Sequence, residues 1–281
     1  MKKRIRPWVK ITLILILILT IIILYGIFIA TKKLDVNKYD IVNKNIPENF
    51  SGIKIVHISD IHYNTAIKKK ELKNIVNKIN DLEADIVILS GDILDNSIIY
   101  TDSDKNTLIE YLSKIDDNLG KYIIRGNDDY DDIWLEIVES SGFTMLNNSY
   151  QLIYNDYDNP IFIAGLDSEY NKENLDMIYN YINNDGKNIK YRILVIHEPD
   201  YINNIDYNKF NLILAGHSLG GQIKIPILQN IFLPQNSKNY YKDYYKIKNT
   251  DFYISSGLGT TKIKFRLFNN PSINMYTLKN K

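Results

Sequence analysis

From Ile11 to Thr31 no charged residue interrupts a run of mostly aliphatic side chains, whereas the rest of the chain alternates short apolar runs with longer amphipathic stretches. The short runs at 53–59, 85–90, 121–126, 161–165, 191–197 and 211–216 are rich in Ile, Leu and Val, the pattern of buried strands. Stretches 66–82, 104–118, 130–140 and 172–184 predict helices. In the first of these, Ala66, Leu72, Ile75, Val76 and Ile79 recur at helical spacing and form one apolar face. The last third changes character: 221–228, 252–256, 263–268 and 273–278 predict strands with little helix between them. Residues 34–52 predict a linker, and the Tyr-rich stretch 239–248 an exposed loop. Alternating strands and helices followed by a strand-rich end predict an α/β chain whose last part is more antiparallel.

As a helix rising about 1.5 Å per residue, the run from Ile11 to Thr31 spans roughly 30 Å, the thickness of a bilayer core. A cleaved signal peptide is the competing reading, but its apolar region usually runs about 7–15 residues and ends at a small-x-small site. The sequence around Gly26–Lys33 makes a poor site, so residues 1–33 predict a cytoplasmic basic tip and an uncleaved transmembrane anchor. Lys2, Lys3, Arg4, Arg6 and Lys10 precede the run, and only Lys32 and Lys33 closely follow it. The positive-inside rule then keeps the N-terminus in the cytoplasm and exports residues 53–281.

Overall the chain carries 34 basic and 33 acidic residues, but residues 1–33 contain seven of the basic ones and no acid. The body is therefore net acidic, which argues against nucleic acid as a partner. The absence of cysteine excludes disulfides and thiolate metal sites.

Polar residues gather where the predicted strands stop. The first strand runs into Asp60-Ile61-His62, the second into Gly91-Asp92, the third into Gly126-Asn127-Asp128-Asp129, and the last two into His197 and His217. Any one such ending is an ordinary helix cap or turn. Ligands of open α/β sheets, however, sit at the carboxyl ends of strands, and five polar endings in succession are harder to assign to turns. Three of the chain's four histidines stand there. Imidazole, carboxylate and amide oxygen together suit Mn, Fe, Zn or Ni. The fourth, His57, lies inside the first strand and reads as a core residue or a support behind the ligands, not as a ligand itself.

Gly216-His217-Ser218-Leu219-Gly220 also fits the G-x-S-x-G nucleophile elbow of serine hydrolases. That motif needs a helix directly after the serine and usually a histidine later in the chain. No histidine follows Ser218, and the next residues are Gly-rich, β-branched and broken by Pro226. Ser218 reads as a small turn residue.

The order D-x-H, G-D, G-N-x-D, H, G-H resembles the calcineurin-like metallophosphoesterases, and the C-terminal sequence resembles their membrane-anchored bacterial branch. The resemblance covers residues 53 to about 278. It implies an αββα sandwich, here preceded by one transmembrane helix, with a site for two divalent metal ions. Asp60 and His62 would hold the first metal, Asp92 would bridge, and Asn127, His197 and His217 would hold the second. The implied activity is hydrolysis of a phosphomonoester or phosphodiester by two-metal activation of water. An anchored site further implies a phosphate ester linked to a lipid or the envelope.

Two positions depart from the family pattern. Asp128 stands where the family's phosphate-contacting histidine is usual, and is a weak candidate for a catalytic acid because cations beside it favour the carboxylate. Leu219 stands where a histidine usually ligates the first metal, which leaves that site with Asp60, His62 and Asp92 and predicts weak binding there. Two alternatives follow: a catalytically impaired one-metal or metal-free binding domain on the same fold, or, less favoured, a serine hydrolase using Ser218.

Overall fold

The computed structural model describes residues 6–129, 132–156, 158–225 and 232–281. Lys2, Lys3 and Arg4, residues 130–131 of the third expected helix and residues 226–228 of an expected strand lie outside the described residues.

Helix α1 (Pro7–Phe28) carries the uncharged run, opens on a proline at its first turn and leaves most of its apolar side chains exposed. It is long and apolar enough to cross a membrane. The chain then passes into β1 (Asp35–Val42), β2 (Lys54–Ile58), α2 (Lys69–Asn80), β3 (Ile86–Leu89), α3 (Asp102–Leu112), β4 (Gly120–Ile123), α4 (Asp132–Ser141) and β5 (Thr144–Met145). The second half supplies β6 (Ser149–Ile153), β7 (Ile161–Leu166), α5 (Lys172–Asn183), β8 (Arg192–Ile196), β9 (Leu212–Ala215), β10 (Tyr244–Ile247), β11 (Thr250–Ile254) and β12 (Ser272–Lys279).

Two six-stranded sheets result, in the orders β1-β12-β2-β3-β4-β5 and β10-β11-β9-β8-β7-β6. The period-two alternation of strands explains how they stack. In the first sheet Val56, Ile58, Val87, Leu89 and Ile123 face α2, α3 and α4. Their neighbours Ile55, Ile86, Ile88 and Tyr122 face the second sheet and meet Ile161, Ile163, Ile193, Val195, Leu212 and Leu214. The second sheet turns Ala164, Leu194, Ile196 and Ile213 toward Leu175, Ile178 and Ile182 of α5. Strands buried on both faces read as continuous apolar runs, as the sequence predicts. The architecture is the expected αββα sandwich preceded by one apolar helix.

Four expectations need correction. Residues 34–52 are not a linker: β1 pairs in parallel with β12 along its whole length, from Asp35 opposite Ser272 to Val42 opposite Lys279. Ile41 is buried between the sheets while most of the strand is partly exposed, as suits an edge. The stretch 239–248 is only partly loop, because Tyr244–Ile247 pairs antiparallel with β11. The expected strand at 221–228 is not formed by its described residues, 221–225, and residues 263–268 are not a strand; only Leu267 makes an isolated bridge, to Ile223. The backbone of 263–268 is turned by Arg266, which is fully buried and donates to the carbonyls of Ser256, Gly257 and Gly259.

Pairing of β1 with β12 also fixes where α1 joins the domain. β12 runs antiparallel to β2, with Asn274 opposite His57, so β1 starts at the end of the sheet where β2 stops. The chain thus passes from α1 into the sheet beside the carboxyl ends of β2, β3 and β4. Lys32 reinforces the joint with an ion pair to Glu71 of α2 at 3.0 Å.

If β1 belongs to the core, Ile41→Ala should cost about 2–5 kcal/mol, as for other buried Ile truncations. Val42→Ala, at an exposed position, should stay within about 0.5 kcal/mol. Denaturant unfolding of the full chain in detergent measures both; equal, negligible effects would return this segment to a linker.

Candidate metal centre

The loops after β2, β3 and β4 of one sheet and after β8 and β9 of the other converge on a single cluster. Asp60, His62 and Asp92 bring ligand atoms together in one group, and Asp92, His197 and His217 in a second that shares Asp92. One carboxylate oxygen, Asp92 Oδ2, lies 3.0 Å from His197 Nε2 and 3.6 Å from His62 Nε2. Its other oxygen, Oδ1, accepts the backbone N–H of Asp128 at 2.9 Å.

Each of the three imidazoles has one nitrogen committed to a backbone carbonyl. His62 Nδ1 donates to Leu94 at 3.1 Å, His197 Nδ1 to Ser90 at 2.6 Å, and His217 Nε2 to Gln235 at 2.7 Å. A carbonyl can only accept, so in the neutral ring each bond fixes the tautomer and leaves a lone pair on the other nitrogen. His62 Nε2 and His197 Nε2 are buried without a hydrogen-bond partner; His197 is within ion-pair distance of Asp92 but outside hydrogen-bonding geometry. Asn127 repeats the arrangement. Its Nδ2 donates to Asp128 Oδ1 at 2.8 Å, and its buried Oδ1 has no partner. Two imidazole lone pairs, an amide oxygen and clustered carboxylates, all buried, form a donor set that fits divalent cations.

Electrostatics follow from this crowding. Burial alone would raise the Asp92 carboxyl, but His197, His62 and His217 hold it below the ordinary carboxylate range. Burial would lower His197, yet the charge of Asp92 raises it well above an ordinary histidine. Burial and the repulsion of Asp92 push Asp128 up to about 6 and Asp129 up to about 7 in the metal-free protein.

The residues expected from the sequence come together here, Asp128 among them. Its Oδ1 also accepts from Asn96 at 2.8 Å, and its Oδ2 lies 3.7 Å from His62 Nδ1, the ring edge facing away from Asp60 and Asp92. With His62 and Asp95, Asp128 forms a third group whose ligand atoms lie close enough together to hold a cation. Glu198 accepts from Ser168 Oγ at 2.8 Å. Leu219 is buried, and its methyl group lies close over Gly257 beside Asp60. His57 is buried and driven down to about 3, so it stays neutral; its Nε2 meets Ser90 Oγ at 2.7 Å, steadying the residue whose carbonyl holds His197.

Sequence reasoning missed the frame around these groups. Asp129 accepts from the backbone N–H groups of Asp92, Leu94 and Gly126 at 2.7, 2.9 and 3.0 Å, clamping two loops together. Gly126 must lack a side chain, since a Cβ there would overlap the Asp92 carboxylate. Asp60, His62, Asp92 and His217 all have left-handed backbones, with φ of 52, 42, 57 and 62°. Such residues cost about 1–3 kcal/mol each and persist where surrounding contacts hold them. Asp60 is held by the His217 N–H, at 3.1 Å to each carboxylate oxygen, and its carbonyl by the N–H of Gly259 at 2.6 Å. Asp95 adds a fourth carboxylate near His62, after Asp60, Asp92 and Asp128, at 3.6 Å from Nδ1. Its spacing of three residues from Asp92 was a usable signal; nothing local marked Gln235 or Arg266.

Ser218 does not stand on an elbow. Residues 219–221 form a tight left-handed turn, with φ of 48, 57 and 79°, and the buried Ser218 hydroxyl accepts the Gly220 N–H at 3.1 Å.

The profile of the calcineurin-like phosphoesterase family matches residues 53–221. The chain is 30% identical over 265 residues to the metallophosphoesterase YkuE of Bacillus subtilis, covering 91% of this chain and 89% of that protein. It is 27% identical to YkoQ of the same organism, covering 88% and 92%. A transmembrane protein with a metallophosphoesterase domain from Danio rerio is 26% identical over 95% of this chain, which spans 62% of that protein's length.

The buried Ser218 hydroxyl should not react with a fluorophosphonate probe. Ser218→Ala should cost about 1 kcal/mol, the worth of one ordinary hydrogen bond. In-gel fluorescence of the full chain checks the first and denaturant unfolding the second; labelling that maps to Ser218 would reinstate the nucleophile.

Proposed function

Because the chain belongs to the calcineurin-like phosphoesterase family, we propose that it is a membrane-anchored, metal-dependent phosphoesterase that acts on a phosphate ester at the bilayer surface. The observation that carries this is the shared Asp92 carboxylate. One of its oxygens faces imidazole nitrogens from both sheets, each with its opposite nitrogen fixed to a carbonyl.

Asp60, His62 and Asp92 would hold one divalent ion, of Mn, Fe, Zn or Ni, and Asp92, Asn127, His197 and His217 a second. When bound, such ions supply Lewis-acid polarisation of a phosphoryl oxygen and lower the pKa of water toward neutrality. The protein's own part is to keep the donors rigid. Backbone carbonyls of Leu94, Ser90 and Gln235 aim the three rings. Asp128 turns the Asn127 amide so that its oxygen faces inward, while its own backbone N–H steadies Asp92. In this reading Asp128 is a positioning residue, and esters with good leaving groups are the better substrates because no strong acid stands at its place.

The anchor joins the domain at the end of the sheet where Asp60, His62 and Asp92 emerge, which supports a substrate presented from the membrane, such as a lipid-linked phosphate ester. The excess of basic residues before the anchor supports a cytoplasmic N-terminus and an extracytoplasmic catalytic domain. Leu219 favours a second reading, a one-metal or metal-free binding domain, because it leaves three protein ligands at the first site.

Metal analysis of the full chain in detergent separates the two. We expect one ion retained through purification, a second lost on dialysis and regained with Mn²⁺, and hydrolysis of an aryl phosphodiester that rises with added Mn²⁺. Leu219→His, at a left-handed position that Leu219 already occupies, should reduce that dependence. His217→Ala should abolish most activity, with Ser218→Ala retaining it. Metal uptake with no turnover of mono- or diester would support the binding-domain reading, and two tightly held ions with no response to Mn²⁺ would overturn the argument from Leu219.

Topology has its own test. A reporter fused after Lys281 should be active only outside the cytoplasm; cytoplasmic activity would reverse the orientation.

A further inference from the structure

The irregular segment 261–268 touches the anchor directly. The Arg266 backbone N–H donates to the Gly26 carbonyl at 3.1 Å. The Phe265 ring packs where a Cβ on Gly26 would stand, so only glycine permits this approach. Gly26 is buried, unlike almost all of α1. It lies five residues before the end of the uncharged run at Thr31, roughly 7 Å inside it along a helix of about 1.5 Å per residue.

That depth determines what the segment meets. Amphipathic elements at a bilayer surface bury their apolar side chains about 5–10 Å into the boundary between headgroups and acyl chains. Anything bonded to Gly26 while α1 spans a membrane sits at this level. The side chains facing outward there suit it: Ile263 is 55% and Phe268 73% exposed, and Lys262 and Lys264, both exposed, alternate with the apolar residues. Large apolar side chains open to water beside a transmembrane helix, flanked by lysines, match an interface of acyl chains below and phosphates above.

We infer that residues 261–268 form a bilayer-docking loop, in which Ile263 and Phe268 enter the acyl-chain boundary and Lys262 and Lys264 bind lipid headgroup phosphates. This rests on the reading of α1 as a membrane anchor. The loop is also part of the frame of the candidate metal centre. Arg266 holds the carbonyls of Ser256, Gly257 and Gly259, and Gly259 in turn holds the Asp60 carbonyl. Gln222, four residues after Ser218, donates its amide to the Ile263 carbonyl and accepts from the Thr261 N–H. Docking therefore sets the orientation of the centre toward the membrane.

The chain has no cysteine, so single-cysteine variants can carry an environment-sensitive fluorophore. Ile263→Cys and Phe268→Cys report the loop, Leu17→Cys the anchor, and Asn188→Cys, exposed just before β8 at the opposite end of the strands, the far side. Each full-length variant is reconstituted into phosphatidylcholine–phosphatidylglycerol vesicles at low protein-to-lipid ratio, with and without brominated acyl chains. The expected result is blue-shifted emission, quenching by bromine and shielding from iodide at 263 and 268 as at 17, with none of these at 188. Labels at 263 and 268 that stay open to iodide and unquenched by bromine, while 17 reads lipid, would overturn docking and leave the anchor standing. Loss of the lipid signal at 17 would overturn both. Shielding from iodide without bromine quenching would mean that another protein copy covers the loop, which also overturns the proposal.

Discussion

A carboxylate removed from water must be compensated where it lies, and Asp92 is fully buried. Desolvating such an ion costs several kcal/mol even after relaxation. Neither sheet carries the compensation alone: His62 and the Asp128 N–H come from the first, His197 from the second. The demand of this one group ties the carboxyl ends of the two sheets together at a polar seam. Elsewhere the sheets meet through Ile, Leu, Val and Tyr side chains, which drive association but tolerate small slips. The Asp92–His197 contact does not, and it gives the apolar sandwich a fixed register at the end where the donors gather.

The same seam collects backbone strain. Four donor residues and Leu219 occupy left-handed conformations, which open β-branched or bulky chains rarely adopt. Asp129 repays part of this through its three N–H contacts, and the Gly126 backbone lies so close to Asp92 that no side chain fits between. Rigid donors in strained loops would reorganise little on binding a cation, because their ordering is already part of folding.

Most of this was legible in the sequence, in proportion to how local its cause is. Strands such as Ile86–Leu89 and Leu212–Ala215 are buried on both faces, so their own composition announces them. Asp60, His62, Asp92, Asn127, His197 and His217 stand directly after such strands, and their clustering follows from the parallel topology. The misses have distant causes. β1 is an edge strand with Ile41 as its one fully buried residue, so its alternation is faint until β12, more than two hundred residues later, pairs with it. Arg266 sits in an alternating Lys-apolar pattern that mimics a strand, but its guanidinium is consumed by carbonyls seven to ten residues away. Gln235 contributes only its backbone, which leaves no residue-type signal. Of the four left-handed donor residues and Leu219, only Leu219 is of a type that rarely adopts that backbone, and no local signal marks which Asp and His residues do.

The hydrogen bond between Arg266 and the Gly26 carbonyl makes α1 a component of the folded domain. Cleavage between α1 and β1 would release something other than the same domain in solution. The Arg266 amide would lose its acceptor, the Phe265 ring its packing surface, and Lys32 would no longer bind Glu71. The newly wetted edge would combine Phe265, Ile263 and Phe268, an apolar patch suited to self-association. A shed fragment would be retained by other surfaces or by its own copies, so the fold itself disfavours separation of the domain from α1.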